Sequence, residues 1–424
     1  MPSHDEKIIV IDLDGTLVRT DLLYESLAVL LTRKPWHLFT CLLALLKGRA
    51  AFKRTLAALA QPDFETLPLH TGLIDWLTAC RNEGASLALY SASDERLLQG
   101  IASRVDLFER VRGSDGITNL SGLQKYQAIV ADYGERFTYV GDSKADLPIW
   151  QRCQSAVLVG DVERLKKRLS AETTVVAEFP SAGAGFTSWR RALRLHQWAK
   201  NALLFVPLLL TAQFEQPQAV MAAMLGFVAF GLLASATYII NDLFDLSADR
   251  CHRSKQFRPL ASGDLPLRSG LVAIPVLMLA AAGLISLLPS AFAGVALLYT
   301  VVALAYSMRL KREPILDVLV LATLFTFRLL AGIAVIGVPS SPWLLTFSMF
   351  FFTSLATIKR FTECDAQLKV GKEGVPGRGY RPADAHWLMA MGSASGFASV
   401  LVFFNYLVEA QVQIAQFQRP EWLW

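Results

Sequence analysis

Two carboxylates stand two residues apart in Asp12-Leu13-Asp14, followed by Gly15-Thr16, where the apolar run KIIVI ends. On an extended segment this spacing points both side chains the same way. One carboxylate can then attack a phosphorus atom while the other protonates the leaving oxygen. Later residues could complete that chemistry: Ser91 as a hydrogen-bond donor to a phosphoryl group, and Lys125 as the neutraliser of its charge. Asp142 and Asp146, in GDSKAD, offer oxygen ligands of the kind magnesium prefers. A second acidic group is Asn241, Asp242, Asp245 and Asp249. On a helix, separations of three and four residues bring its three carboxylates to one face. Three carboxylates at a membrane helix end repel one another unless a cation binds, and magnesium carrying a diphosphate suits them. Arg250, Arg253, Lys255 and Arg258 follow and can hold phosphate oxygens. A basic cytoplasmic loop would explain these cations but not the acidic triplet.

The elements that must position the first group read as a parallel sheet. Residues 7–16, SLALYSAS (86–93), FTYVGDS (137–143) and AVLVG (156–160) are short apolar runs with helical stretches between them. Such alternation places a site at the carboxyl ends of the strands. A helical insert occupies about 22–67, and its stretch LFTCLLALLKGRAAFKR is apolar, then basic. The adopted expectation is a cap over the active site; the sharper alternative is a cap that also touches a membrane surface.

The chain has 424 residues, of which 53% are hydrophobic and 18% charged, more apolar and less charged than an ordinary soluble domain. Its length suggests two domains. PSAGAGFTS (180–188) reads as a linker. Beyond it lie seven candidate spans, at about 196–213, 219–240, 268–288, 290–308, 315–337, 342–360 and 385–408. Connections rich in Lys and Arg alternate with connections that have none, which puts the basic loops and the N-terminal domain on the cytoplasmic side. The five scattered cysteines suit a reducing compartment, and the N-terminus reads as a buried strand rather than a signal peptide. A net charge of +5 is modest, and no nucleic-acid partner is expected.

The first motif set, over about 7–165, resembles the haloacid dehalogenase-like phosphatases with a helical cap. The resemblance implies Asp12 as nucleophile through a phospho-aspartyl intermediate, and Asp14 as general acid/base. It implies Ser91 and Lys125 as phosphate binders, and magnesium on Asp12, the Asp14 carbonyl and Asp142, with Asp146 in support. NDLFDLSAD followed by RPLASG resembles the UbiA-type intramembrane prenyltransferases over about 189–424. The expected fold is therefore a Rossmann-like α/β domain (1–179, cap about 20–68) joined to an all-α multi-span membrane domain.

Aromatic prenyltransferases usually carry a second DxxxD motif, but the corresponding loop here has Lys359, Arg360, Glu363 and Asp365. That departure, with LHQWAKNALLFVPLL and YSMRLKREPILDVLVLA, resembles the branch making polyprenyl-phosphate phosphoribose. Phosphoribosyl pyrophosphate would be the donor and polyprenyl phosphate the acceptor. Asn241, Lys200, Lys255, Arg258, Lys311, Lys359 and Arg360 are the candidates for the substrate phosphates. Arg328, inside a span, is a functional candidate or the partner of a neighbouring helix. Arg378, Tyr380 and Arg381 close over the substrate or form an ordinary basic loop; both readings stay open.

The phosphatase would remove the 5-phosphate from the lipid-linked ribose, on the way to an arabinose donor. The competing readings are an aromatic-acceptor prenyltransferase with an unrelated phosphatase, and a transferase with an idle phosphatase-fold module. Localisation is expected in the bacterial inner membrane. The superfamily usually has nine spans, so the chain ending in RPEWLW is either truncated or naturally short. The lipid groove is closed by its own helices or by a second copy in a homo-oligomer.

Overall fold

A computed structural model describes residues 7–170, 172–181, 185–369, 374 and 378–409. The chain divides into two compact units, residues 1–192 with 242–271, and residues 193–241 with 272–424. The first unit is built on a six-stranded parallel sheet of order β3-β2-β1-β4-β5-β6. Its strands are β1 (Ile8–Ile11), β2 (Ser86–Asp94), β3 (Arg110–Ser114), β4 (Thr138–Gly141), β5 (Ser155–Gly160) and β6 (Val175–Pro180). The four runs anticipated from sequence are β1, β2, β4 and β5. The two strands not anticipated, β3 and β6, lie at the sheet edges and are only partly buried. An edge strand has less apolar surface to hide, so RVRGS carries two arginines and reads as a loop.

β1 pairs with β2 on one side and β4 on the other, Ile9 facing Leu87 and Thr138. The strand order reverses between β1 and β4. In open parallel sheets the crevice at such a switch point, beyond the carboxyl ends, is where ligands sit. Ile9, Ile11, Leu87, Leu89, Val140 and Val157 form the core beneath it.

The insert after β1 is helical, as expected: α1 (Leu22–Arg33), α2 (Leu38–Leu46) and α3 (Arg49–Leu59). Asp21 caps α1 by accepting from the Leu23 amide. Leu30, Cys41, Leu56 and Ala60 make the small core of this cap. After it come α4 (Thr71–Asn82), α5 (Glu95–Val105) and α6 (Leu123–Tyr133), the last carrying Lys125.

The single division expected at 180–188 is replaced by a first unit that includes 242–271. Its physical basis is a set of specific bonds. Arg250 donates twice to Glu25 of α1, at 2.6 and 3.1 Å, and both side chains are buried. Arg19 pairs with Asp264 at 2.8 Å, and Arg191 bonds the Phe257 carbonyl. The proposed linker is also shorter: β6 ends at Pro180 and a helix starts at Phe186, while 182–184 lie outside the described residues.

Among the described residues, five helices are long and apolar enough to cross a membrane: Pro217–Phe244, Leu267–Ile285, Ser290–Met308, Leu316–Ile336 and the stretch Pro382–Leu407. Two of the seven expected spans differ. The first is a 3₁₀ segment, Leu195–Phe205, and a short α-helix, Val206–Leu210, bounded by left-handed backbone at Arg194 and Ala212. Polar His196, Gln197, Lys200 and Asn201 interrupt its apolar pattern, and Pro207 starts a new helix. Gly332 allows the close approach of this segment, because a Cβ there would lie 2.2 Å from the Leu204 carbonyl. The second is Pro342–Lys369, a 28-residue helix that continues through the stretch expected to be a cytoplasmic loop. The expected chain end at RPEWLW lies outside the described residues.

Candidate active sites

The first site begins where β1 stops. Asp12 follows Ile11, and its amide donates to the Val140 carbonyl at 3.0 Å, so the sheet itself fixes this carboxylate. The chain then turns sharply: the Thr16, Leu17 and Val18 amides all donate to the Leu13 carbonyl. Asp14 is therefore aimed by a turn rather than by strand alternation, which corrects the basis of the sequence expectation. Gly15 makes the turn with φ +77°, and a Cβ there would lie 2.2 Å from Asp142 Oδ2. Only glycine fits both the conformation and that approach.

Lys125 sits 2.9 Å from Asp12 Oδ1, and its ammonium also donates to Tyr139 Oη at 3.1 Å. The Tyr139 hydroxyl donates to Asp146 Oδ1 at 2.9 Å. Asp146 Oδ2 accepts from the Ser143 amide and hydroxyl, each at 3.1 Å, in a capping box. Asp146 is thus held on both oxygens, a positioning group as much as a ligand. Asp12, Asp142 and Asp146 offer oxygens all within 4.8 Å of one another. Three such carboxylates with one buried ammonium leave negative charge uncompensated, and hard oxygen donors are what magnesium takes. The donor set fits that ion.

Burial raises Asp12 to about 7, with Asp146 and Asp14 adding repulsion and Lys125 opposing it. Asp14 is raised to about 6, by burial first and then by Asp21. Asp142 is pushed well up by burial and by the Asp146, Asp12 and Asp14 charges. Burial works against the charge on Lys125, but Asp12 and Asp146 outweigh it and lift its pKa.

Ser91, expected to meet a phosphoryl group, donates here to Asp14 Oδ2 at 3.1 Å. Ser93, not anticipated, donates to the same oxygen at 2.6 Å, and the Leu22 amide reaches Oδ1 at 2.7 Å. Three donors thus hold Asp14 in one orientation. Lys53 of α3 was also missed. It bonds the Ala92 carbonyl at 2.7 Å and Asn119 Oδ1 at 3.0 Å, and Asp14 and Asp21 act on its charge. No local spacing signals Lys53, because the cap brings it in from elsewhere in the chain.

At the second acidic group, the helix Pro217–Phe244 ends just before Asp245, and a short helix Leu246–Arg250 follows. The break corrects the expectation of three carboxylates along one continuous helix face. Instead Asp242 and Asp249 converge on Arg258, which lies 3.0 Å from Asp242 and bonds Asp249 as well. The guanidinium thus stands between two buried carboxylates, whose oxygens are of the kind magnesium takes. Asp249 is raised to about 6 by burial, against the pull of Arg258.

In the second unit the expected phosphate binders have protein partners. Lys311 donates to Asn241 Oδ1 at 3.3 Å. Lys200 lies 5.5 Å from the Phe325 ring centre. Arg328 donates to Asn201 at 2.9 Å and lies against Phe230, Tyr299 and Phe325. This is the pairing that the second of its two readings anticipates. Arg360 and Arg378 share Asp317, which sequence reading had not singled out. Arg378 lies 2.7 Å from Asp317 Oδ1, and Arg360 bonds both its oxygens. Glu363 joins at 2.7 Å from Arg360, and the Tyr306 hydroxyl donates to Asp317 at 2.7 Å. Tyr380 accepts from the Ile315 amide at 3.1 Å and is buried, so its hydroxyl serves the fold. That bond helps hold Ile315, a β-branched residue at φ +69°. Lys359 stands within the field of this network, acted on by the charges of Arg360, Glu363, Arg378 and Asp317, while the Arg381 amide donates to Asp384 at 2.7 Å. Much of the loop between Lys369 and Arg378 lies outside the described residues.

These features define a multi-pass membrane protein carrying an α/β unit. The chain matches the UbiA prenyltransferase family over residues 202–412. It is 38% identical to the uncharacterized protein y4nM of Sinorhizobium fredii, over 99% of this chain and 82% of that one. The nodulation protein NoeC of Azorhizobium caulinodans is 34% identical over 55% of this chain and 76% of its own. A decaprenyl-phosphate phosphoribosyltransferase of Mycobacterium tuberculosis is 31% identical over 43% of this chain and 61% of its own length. Residues 202–412, the membrane half of the chain, belong to the UbiA prenyltransferase family.

Proposed function

We propose that the protein transfers 5-phosphoribose from phosphoribosyl pyrophosphate to a polyprenyl phosphate, then removes the 5-phosphate. The product would be polyprenyl-phosphate ribose, a precursor of an arabinose donor. The observation that carries the two-step reading is the buried Asp12–Lys125 pair, set in a three-carboxylate cluster within a UbiA-family chain. The relative that is a decaprenyl-phosphate phosphoribosyltransferase supports the choice of donor and acceptor.

In the transfer, the bond from the anomeric carbon to diphosphate breaks, and the diphosphate leaves with the electron pair. An oxygen of the lipid phosphate forms the new bond to that carbon. Asp242, Asp245 and Asp249 would hold the magnesium diphosphate, and Arg258 would turn from the carboxylates to the phosphate oxygens. Stabilising the leaving group is the main requirement, so no strong protein base is needed.

In the hydrolysis, in the manner of haloacid dehalogenase-like phosphatases, an Asp12 oxygen attacks phosphorus and the bond to the ribose oxygen breaks. Asp14 gives that oxygen a proton. Water then attacks the phospho-aspartate, Asp14 takes its proton back, and inorganic phosphate leaves. Lys125 meets the phosphoryl charge, while Ser91 and Ser93 keep Asp14 aimed. Magnesium on Asp12, Asp142 and Asp146 would supply further charge neutralisation when bound. On this reading the protein works in the bacterial inner membrane, with this unit in the cytoplasm.

The test supplies the purified full chain with phosphoribosyl pyrophosphate and polyprenyl phosphate, and in parallel with prenyl diphosphate and an aromatic acid. Formation of lipid-linked ribose and phosphate release are expected in the first arm. Asp12→Asn should keep transfer and lose phosphate release. Dephosphorylated lipid from that variant would refute the coupling, and prenylation of the aromatic acid alone would replace the donor assignment.

A further inference from the structure

Most of the cap is an ordinary helical layer, but α2 is not. The stretch Pro35–Leu46 is apolar apart from His37 and Thr40. One face belongs to the cap core: Cys41 is fully buried, Ala44 nearly so, and Leu38 packs beside them. The opposite face is equally apolar and lies open. Trp36, Phe39, Leu42, Leu43 and Leu46 are 70%, 69%, 51%, 47% and 84% exposed, at spacings that gather them along one side of the helix. A helix that is apolar on every face is normally covered on every face. Contiguous large apolar side chains such as these mark an interaction surface rather than scattered surface residues.

The identity of the cover follows from length and charge. At 1.5 Å per residue the stretch runs only about 18 Å, against about 30 Å of hydrocarbon, so it cannot cross a bilayer. It can lie in the interface, its apolar face among the acyl chains. Its two ends are basic and exposed, with Arg33 and Lys34 before it and Lys47 and Arg49 after it. Exposed cations at both ends of an apolar face match the anionic headgroups of a cytoplasmic leaflet. A protein partner would give no general reason for cations at both ends. Among the described residues of the same chain, five helices are long and apolar enough to cross a membrane, so the chain is tied to a bilayer.

We propose that α2 is an interfacial helix, through which the cap rests on the lipid surface and the Asp12 site takes its phosphate from a lipid-borne substrate. This reverses the plainer expectation of a cap that only covers the site. The assignment of substrate rests on the phosphatase reading above, whereas the contact between α2 and lipid does not.

The test uses the full chain in nanodiscs containing anionic phosphatidylglycerol, with Cys153→Ala and Cys251→Ser removing the less buried native thiols. Spin labels are attached at Phe39→Cys, at Leu46→Cys, and at exposed Glu163→Cys as the water-facing control. Labels at positions 39 and 46 should be open to oxygen and closed to a water-soluble nickel chelate, and the control the reverse. Chelate access at 39 and 46 would overturn the proposal. So would spin–spin broadening between labelled copies, which would put a second chain on this face. Shielding from both reagents would also overturn it, by showing the face buried in protein.

A paired kinetic measurement separates the two readings. Phe39→Glu with Leu46→Glu should raise KM for a polyprenyl-linked phosphomonoester by about tenfold or more. Hydrolysis of water-soluble p-nitrophenyl phosphate should not change. An equal effect on both substrates would refute a role in lipid access. If neither substrate is hydrolysed by the unaltered protein, the phosphatase reading fails, while the label measurements still decide whether α2 lies in lipid.

Discussion

Asp142 can approach the turn after β1 only because residue 15 has no side chain. Gly15→Ala meets two obstacles, a left-handed φ of +77° and a Cβ 2.2 Å from Asp142 Oδ2. The variant should lose about 1–3 kcal/mol of stability, and its magnesium affinity should fall because Asp142 is displaced. Thermal unfolding with and without magnesium measures both, and an unchanged affinity would show that Asp142 is not a ligand. The raised carboxylates give a second prediction. In the unfolded chain an aspartate titrates near ~3.9, whereas Asp12 and Asp14 are held at about 7 and about 6. Between those values the folded form keeps protons that the unfolded form has released, so without metal stability should fall as pH rises from ~4 to ~7. Magnesium selects the ionised carboxylates, so its stabilising effect should grow over the same range. Hydrogen exchange of the β1 and β4 amides reads this, and a magnesium effect independent of pH would contradict it. Asp12, Asp14, Lys125, Asp142 and Asp146 were legible in sequence because each belongs to a short motif at a strand or helix end. Ser93, Tyr139 and Lys53 were not. Their roles depend on which carboxylate, ammonium or carbonyl the fold brings beside them, and spacing does not encode that.

Elements divide the same way. The central strands were legible because deep burial demands unbroken apolar runs, and the five apolar helices because faces left open to lipid must be apolar as well. Edge strands such as β3, and the 3₁₀ segment Leu195–Phe205, were not, since partial exposure lets polar residues break the pattern. Pro342–Lys369 shows the opposite error. Its C-terminal end is charged and reads as a loop, yet Arg360 stays helical because Asp317 on a neighbouring helix accepts its guanidinium. The pair Glu25–Arg250 carries the element-scale prediction. It joins α1 to the short helix bearing Asp249, and both partners are buried. Removing one partner leaves a buried charge without its match, so Glu25→Ala should cost about 3–5 kcal/mol. The loss should show as faster hydrogen exchange in both α1 and Leu246–Arg250. Exchange that quickens in α1 alone would mean the pair does not order the acidic helix end.

At the scale of the molecule, the division into two compact units does not fall between the two acidic clusters. Asp242–Leu271, which carries the acidic end of a membrane helix, clusters with the N-terminal sheet and cap. A reading based on the linker would cut the chain at 180–188. The bonds argue otherwise. Thr20 donates to Glu25 at 2.8 Å, the Thr20 carbonyl accepts from the Gly15 amide, and the Leu22 amide holds Asp14. The segment that aims Asp14 is therefore anchored through Glu25 and Arg19 to Arg250 and Asp264. A fragment ending at residue 192 loses both anchors while keeping every residue of the Asp12 cluster. Its hydrolysis of a soluble phosphomonoester should show a lower kcat than the full chain, with Asp14 less well aimed, and residues 19–25 should exchange their amides faster. Restoring 242–271 through a short covalent linker should recover part of that rate, because the anchors return without the membrane helices. A fragment that matches the full chain in kcat and in exchange would show that the anchors are incidental to the chemistry.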